Sequence, residues 1–183
     1  NEEASQKLLT QSCEFFEDQY LQRKNGYKFQ REHRFTPDFM SESVEIEPIN
    51  IEQFSEKIHQ NIASRIVIEG EIGIGKTTAK YELVYRSCQK NKNTFSVNIE
   101  DILPNIAKDN SANVLLGLHE GVTKEDLSSI KKQASVVVVD GLDHISQQEF
   151  PKVLQYVQTI ESIFPKMTIV LFVRKSVALE HYL

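Results

Sequence analysis

The chain has 183 residues, enough for one hydrophobic core, with 40% apolar and 26% charged residues, the balance of an ordinary globular protein. Its net charge of -5 argues against a nucleic-acid-binding surface, which needs clustered Lys and Arg. No apolar run reaches the roughly 18 residues of a membrane span, so no membrane contact is expected.

Cys13 and Cys88 are the only cysteines. They form neither a disulfide framework nor a metal-ligand spacing, and a reducing cytoplasm is the expected location. The N-terminus has neither the basic start nor the apolar stretch of a signal peptide. The chain begins with Asn, as a processed protein or a piece of a longer one would.

Residues 4–24 read as a helix, with Leu9, Cys13, Phe16 and Tyr20 on one face and Leu8, Phe15 and Leu21 widening it. That face is expected to pack on the body of the domain; contact with a further domain or a second subunit is the alternative. Gly26 is a stop signal. Residues 27–49 read as irregular, punctuated by Pro37 and Pro48, with a short edge strand over Ser43 to Pro48. The chain thus divides into a helix and linker over 1–49 and a core over 50–183. Asn50 and Gln53 suit a capping box for a helix with Ile51, Phe54, Ile58 and Ile62 on its buried face, ending near Ser64. A β-branched strand follows at Arg65 to Glu69.

Next comes Gly70-Glu71-Ile72-Gly73-Ile74-Gly75-Lys76-Thr77, which meets G-x-x-x-x-G-K-[ST] at every required position. Glycines allow positive φ and close approach to phosphates. Backbone N–H groups converge into an anion-binding nest, and the helix expected from Thr77 to Gln89 points its positive end at the same place. Lys76 brings a compact cation to the β- and γ-phosphates. The Thr77 hydroxyl is a hard oxygen donor suited to Mg²⁺. With Thr78 after it, the segment is a phosphate-binding loop between a strand and a helix, the context such a motif requires.

Phe95 to Ile99 reads as a second strand, and residues 101–134 as two or three short helices. Thr123 is the cap of the last, with Asp126 placed to reach back. Val136 to Val139 is a strand apolar on both faces, as in a covered parallel sheet. It ends in Asp140, where the carboxyl ends of parallel strands bind ligands; a Walker B Asp there holds Mg²⁺. Asp143 and His144 follow. Asp143 reaches the γ-phosphate side through one water, whereas His144 can take a proton, sense phosphate or simply face solvent. Residues 147–163 read as a helix, with Phe150, Val153, Leu154, Val157 and Ile160 periodic. Thr168 to Val173 is the last strand and delivers Arg174 at its carboxyl end. If this strand lies between the first strand and the Walker B strand, Arg174 sits near the γ-phosphate and can distinguish ATP from ADP.

Taken together, GEIGIGKTT at 70–78, VVVVDGLDH at 136–144 and IVLFVR at 169–174 resemble the STAND class of P-loop NTPases, and within it the NACHT-type domains. Arg34-Phe35-Thr36-Pro37 is similar to a short Pro-containing stretch upstream of such domains in bacterial defence proteins. The resemblance implies a three-layer α/β fold of the ASCE type. In it the strands beginning near residues 66, 168, 136 and 95 stand in that order, behind an N-terminal helical segment. It implies a cytoplasmic signalling or immunity switch, inactive with ADP, active and self-oligomerising with ATP and Mg²⁺, joined to other domains of a longer chain. It places phosphate binding on Lys76, Mg²⁺ on Thr77 and Asp140, water activation on Asp143 and a sensor role on Arg174.

Three features depart from the family. Its final Glu is His144 here, Lys175 and Ser176 replace a Pro after the sensor strand, and the sequence ends before the fifth strand and helical lid. Slow hydrolysis by an incomplete nucleotide domain is therefore expected, with a non-hydrolytic binding module as the alternative. A small-molecule kinase would need an Arg-rich lid, and residues 101–134 contain no Arg. A GTPase reading fails because Asn91-Lys92-Asn93-Thr94 lacks the Asp that reads guanine and precedes the Walker B strand.

Overall fold

The computed structural model describes residues 15–21, 33–34, 48–49, 51–60, 65–70, 75–90, 93–106, 111–118 and 122–174. Its elements are α1 (residues 15–21), β1 (His33–Arg34), β2 (Pro48–Ile49), α2 (Ile51–Gln60), β3 (Arg65–Gly70), α3 (Lys76–Gln89) and β4 (Asn93–Asn98). Then follow α4 (Ile99–Ile106), α5 (Ala112–Leu115), α6 (Lys124–Lys132), β5 (Ser135–Asp140), α7 (Phe150–Ile163) and β6 (Met167–Arg174). Two single 3₁₀ turns, Leu142–His144 and Gln147–Glu149, join β5 to α7.

The main sheet is parallel, in the order β3-β6-β5-β4. This is the expected order, with β6 between β3 and β5. Side chains on a strand alternate between faces, and the two buried clusters follow that alternation. Val136, Val138, Val170 and Phe172 pack with Ile51, Phe54, Ile58, Leu83 and Val84 of α2 and α3. On the other face Val137, Val139, Ile169, Leu171 and Val173 pack with α4, α5 and α7. The fold is therefore a three-layer α/β sandwich. The valine run of β5 is buried throughout because helices cover both its faces.

Local chemistry explains most element boundaries. The Thr123–Asp126 capping box forms as expected. The helix expected at 147 instead begins at Phe150, because Ser146 and Glu149 close a capping box around the preceding 3₁₀ turn. The strand expected at 95–99 runs from Asn93 to Asn98. Ile99 turns into α4, and the Asn98 side chain accepts a hydrogen bond from Glu100 N. Among the described residues, 101–134 hold three helices, the first beginning before 101. Within 27–49, expected to be irregular, His33–Arg34 pairs antiparallel with Pro48–Ile49. Residues 43–47, Asn50, Ile62 and Ser64 lie outside the described residues, as do Leu8, Leu9 and Cys13.

The expectation for α1 needs correction at Leu21. Phe16 and Tyr20 meet Tyr81 and Tyr85 of α3, at ring separations of 5.8 and 5.6 Å. Phe15 widens that face only by an edge contact with Tyr81, at 6.5 Å between ring centres, and stays 53% exposed. Leu21, expected to widen it too, is 41% exposed.

Tyr156 is fully buried, and its hydroxyl donates to the Leu115 carbonyl at 2.9 Å. Burial pushes the phenol well above its ordinary 10.0. Tyr156→Phe at neutral pH is expected to cost about 1–2 kcal/mol, since the Leu115 carbonyl loses this donor. Above pH 10 the unfolded chain releases the proton that the folded chain keeps. Wild-type stability is thus fully present below that pH and falls beyond it by about 1.4 kcal/mol per unit. Urea midpoints at pH 7 and 11 should therefore show the gap between wild type and Tyr156→Phe closing at pH 11.

Candidate nucleotide site

The carboxyl ends of β3, β5 and β4 form one edge of the sheet, where ligands of open parallel sheets bind. Gly70 ends β3 and Gly75 opens α3 with φ 90°. That left-handed conformation is costly for a residue with a Cβ. Glu71, Ile72, Gly73 and Ile74 lie outside the described residues. Unlike α4 and α6, α3 carries no acidic residue in its first turn, and it has no side-chain cap. Its positive end thus carries no side-chain carboxylate of its own first turn, and its dipole favours an anion there.

A small polar cleft of about 220 Å³ sits on this edge. It is lined by Lys76, Thr77 and Lys80 of α3, Asn98 and Glu100 of the β4–α4 turn, and Asp140, Gly141, Asp143 and His144 after β5. Its size suits the phosphate end of a ligand more than a whole drug-sized molecule, which takes about 300–1,000 Å³. Thr78 is buried and is not among the lining residues.

Lys76 Nζ donates to the Gly70 carbonyl at 2.7 Å and lies 3.2 Å from Asp143 Oδ2. The other oxygen of Asp143, Oδ1, is buried without a hydrogen-bond partner. A buried acceptor left open at a cleft is a place for water or a ligand donor. Asp140 is held differently. Its Oδ1 accepts from Gly141 N at 2.9 Å, and its Oδ2 pairs with Lys80 Nζ at 2.7 Å.

Gly141 has φ 85°, and a Cβ there would stand 2.0 Å from Asn98 Oδ1 and 3.6 Å from Glu100 Cγ. The absence of that Cβ lets the β4–α4 turn close against the end of β5 and puts Asn98 and Glu100 into the cleft. His144 is exposed at its mouth, and its backbone N–H donates to the Gly141 carbonyl. Arg174 is absent from the cleft lining. It pairs in register with Gly70 on the neighbouring strand, and its Nε is buried without a partner.

Of the residues singled out in the sequence, Lys76, Thr77, Asp140, Asp143 and His144 share the cleft, and Arg174 stands beside the start of the loop. Sequence reasoning passed over Lys80, Asn98 and Glu100. Lys80 had a signal: it falls i+3 from Thr77 and i+4 from Lys76, on one helix face. Asn98 and Glu100 had a weaker one, the end of a strand whose neighbour was not yet known.

The donor set fits a phosphate-bound Mg²⁺. One hydroxyl and one carboxylate are what that ion takes from a protein when phosphates and waters complete its shell. The open helix end, the Lys76 ammonium and the unpartnered Asp143 Oδ1 fit the phosphates and their water.

No family model matches the chain, and no curated protein matches it. Among solved structures, a crystal structure of DnaI is similar. It is 18% identical, with a TM-score of 0.40, over 72% of this chain and 65% of that one. The chain therefore spans about 65% of the length of that neighbour. No described helix is long and apolar enough to cross a membrane.

Proposed function

We propose that the cleft binds a nucleoside triphosphate, ATP in preference to GTP, together with Mg²⁺. In this reading the chain is the nucleotide-binding module of a STAND- or NACHT-type signalling or defence switch. The observation that carries the reading is the convergence of Lys76, Thr77, Asp140 and Asp143 on one cleft at the carboxyl edge of a parallel sheet, beside an uncapped helix end.

Lys76 leaves Asp143 to meet the β- and γ-phosphates, and the first turn of α3 donates to them. Mg²⁺, when bound, neutralises phosphate charge as a Lewis acid. Thr77 and Asp140 are the residues that would hold it. Asp143, released from Lys76, holds the attacking water through Oδ1. Arg174 approaches the γ-phosphate from the strand beside Gly70 and distinguishes ATP from ADP.

A second reading, a module that binds nucleotide to set an oligomeric interface and hardly turns over, is favoured by His144. An exposed imidazole stands where the resembled family has a carboxylate. Titration with a fluorescent ATP analogue tests the common part of both readings; absence of binding by the folded protein overturns it. Quantitative phosphate release, with light scattering alongside, separates them. Little or no hydrolysis by a monomer is expected. Turnover of about 1 s⁻¹ or more from a monomer would refute the slow-switch reading.

A further inference from the structure

We propose that Lys80 is the resident counter-cation of Asp140, so that its ammonium competes with Mg²⁺ and loosens the dependence of nucleotide binding on the metal. The inference rests on reading the cleft as a nucleotide site. It adds a residue that sets the metal requirement.

The geometry is specific. Lys80 Nζ is 2.7 Å from Asp140 Oδ2, with only 13% of the Lys80 side chain and 23% of the Asp140 side chain exposed. Gly141 N occupies Oδ1, so both oxygens of the Walker B carboxylate already have a donor. The ring of Tyr81 lies under the ammonium, 4.9 Å from nitrogen to centroid, a cation–π contact that favours this lysine position. Lys80 and Thr77 lie one helical turn apart on the cleft side of α3. The ammonium is therefore in contact with one of the two groups that would hold Mg²⁺, and it shares the cleft with the other.

Lys80 and a Mg²⁺ on the same carboxylate repel each other in a half-buried cleft, where screening is weak. Mg²⁺ binding at Asp140 therefore works against the Lys80 ammonium, which either shifts away or raises the free energy of the metal-bound state. Without Mg²⁺, Lys80 is a second positive charge beside Lys76, within the same cleft, and supports phosphate binding by itself. Both consequences reduce the advantage that Mg²⁺ brings. Glu100 lines the same cleft and is a further carboxylate that the displaced ammonium can face.

The test is the ratio of two dissociation constants for a fluorescent ADP analogue, one in EDTA and one in saturating Mg²⁺. It is measured for the wild-type chain, Lys80→Met and Lys80→Gln. Met keeps the apolar stem over Tyr81, and Gln keeps a hydrogen-bond donor without the charge. The ratio cancels any general loss of affinity or partial unfolding common to both conditions. Both variants are expected to raise it by about tenfold, equivalent to about 1.4 kcal/mol, mainly by weakening binding in EDTA and tightening Mn²⁺ binding read by paramagnetic resonance in the presence of ADP. A ratio unchanged in both variants overturns the role of Lys80 while leaving the nucleotide site intact. Failure of the folded wild-type chain to bind the analogue in either condition overturns the site reading itself.

Discussion

Lys76→Ala is expected to lower affinity for ATP by at least about a hundredfold while the protein remains folded. Each hydrogen bond between a charged donor and phosphate contributes roughly 1.5–3 kcal/mol, and Lys76 is placed to serve two phosphates. A total loss near 3 kcal/mol is a factor above about one hundred. The motif by itself requires no structural partner for this lysine, but the fold provides the Gly70 carbonyl and Asp143 among others. Removing the ammonium leaves Asp143 facing a cleft open to water. The stability cost is accordingly about 1 kcal/mol, small against the roughly 5–15 kcal/mol that holds a domain together. Calorimetry with ATP and a urea melt of the same preparation check both halves. Unchanged affinity in a folded variant would sink the assignment of the loop.

Gly141→Val carries the largest expected loss of stability among the cleft residues. The left-handed conformation at φ 85° costs an ordinary L-residue about 1–2 kcal/mol, and a β-branched one more. The new Cβ would also fall 2.0 Å from Asn98 Oδ1, which accepts from Glu100 N. Asn98 must give up that bond, or the β4–α4 turn must move away from β5; either adds about 1–3 kcal/mol. A total of roughly 2–5 kcal/mol is expected in chemical denaturation. Asn98→Gly in the Gly141→Val background removes the colliding atom and should return only the collision's share. A double variant no more stable than Gly141→Val alone would show that strain at φ, with no contribution from Asn98, is the whole effect.

What could be read from the linear sequence was whatever short-range chemistry controls. The strand and helix that flank the motif at 70–78 were legible, because a β-branched run, glycines and a helix start at fixed offsets depend on near neighbours only. The Thr123–Asp126 cap is likewise closed within one turn. The all-valine run before Asp140 announced a strand covered on both faces, since only burial on both sides favours four apolar residues without alternation. The face of α1 was half legible. Period 3.6 identified Phe16 and Tyr20, but the width of the contact depends on the shape of α3, and Phe15 and Leu21 remain exposed.

Tertiary structure decided the rest, because strand order is a long-range property that no local pattern encodes. The insertion of β6 between β3 and β5 is what puts Arg174 beside Gly70; the sequence could state this only as a condition. The pairing of β4 with β5 carries Asn98 level with Asp140 and so brings Glu100 to the cleft. Lys80 and Asp140 are separated by 60 positions in the chain, and their contact follows from α3 crossing the end of β5. A lysine on a helix face reads as a solvated charge until the fold sets a carboxylate 2.7 Å away. The sequence determined the glycine-lysine-threonine motif and the strand and helix on either side of it; the packing of the sheet decided which charges share the cleft with Lys76 and Thr77.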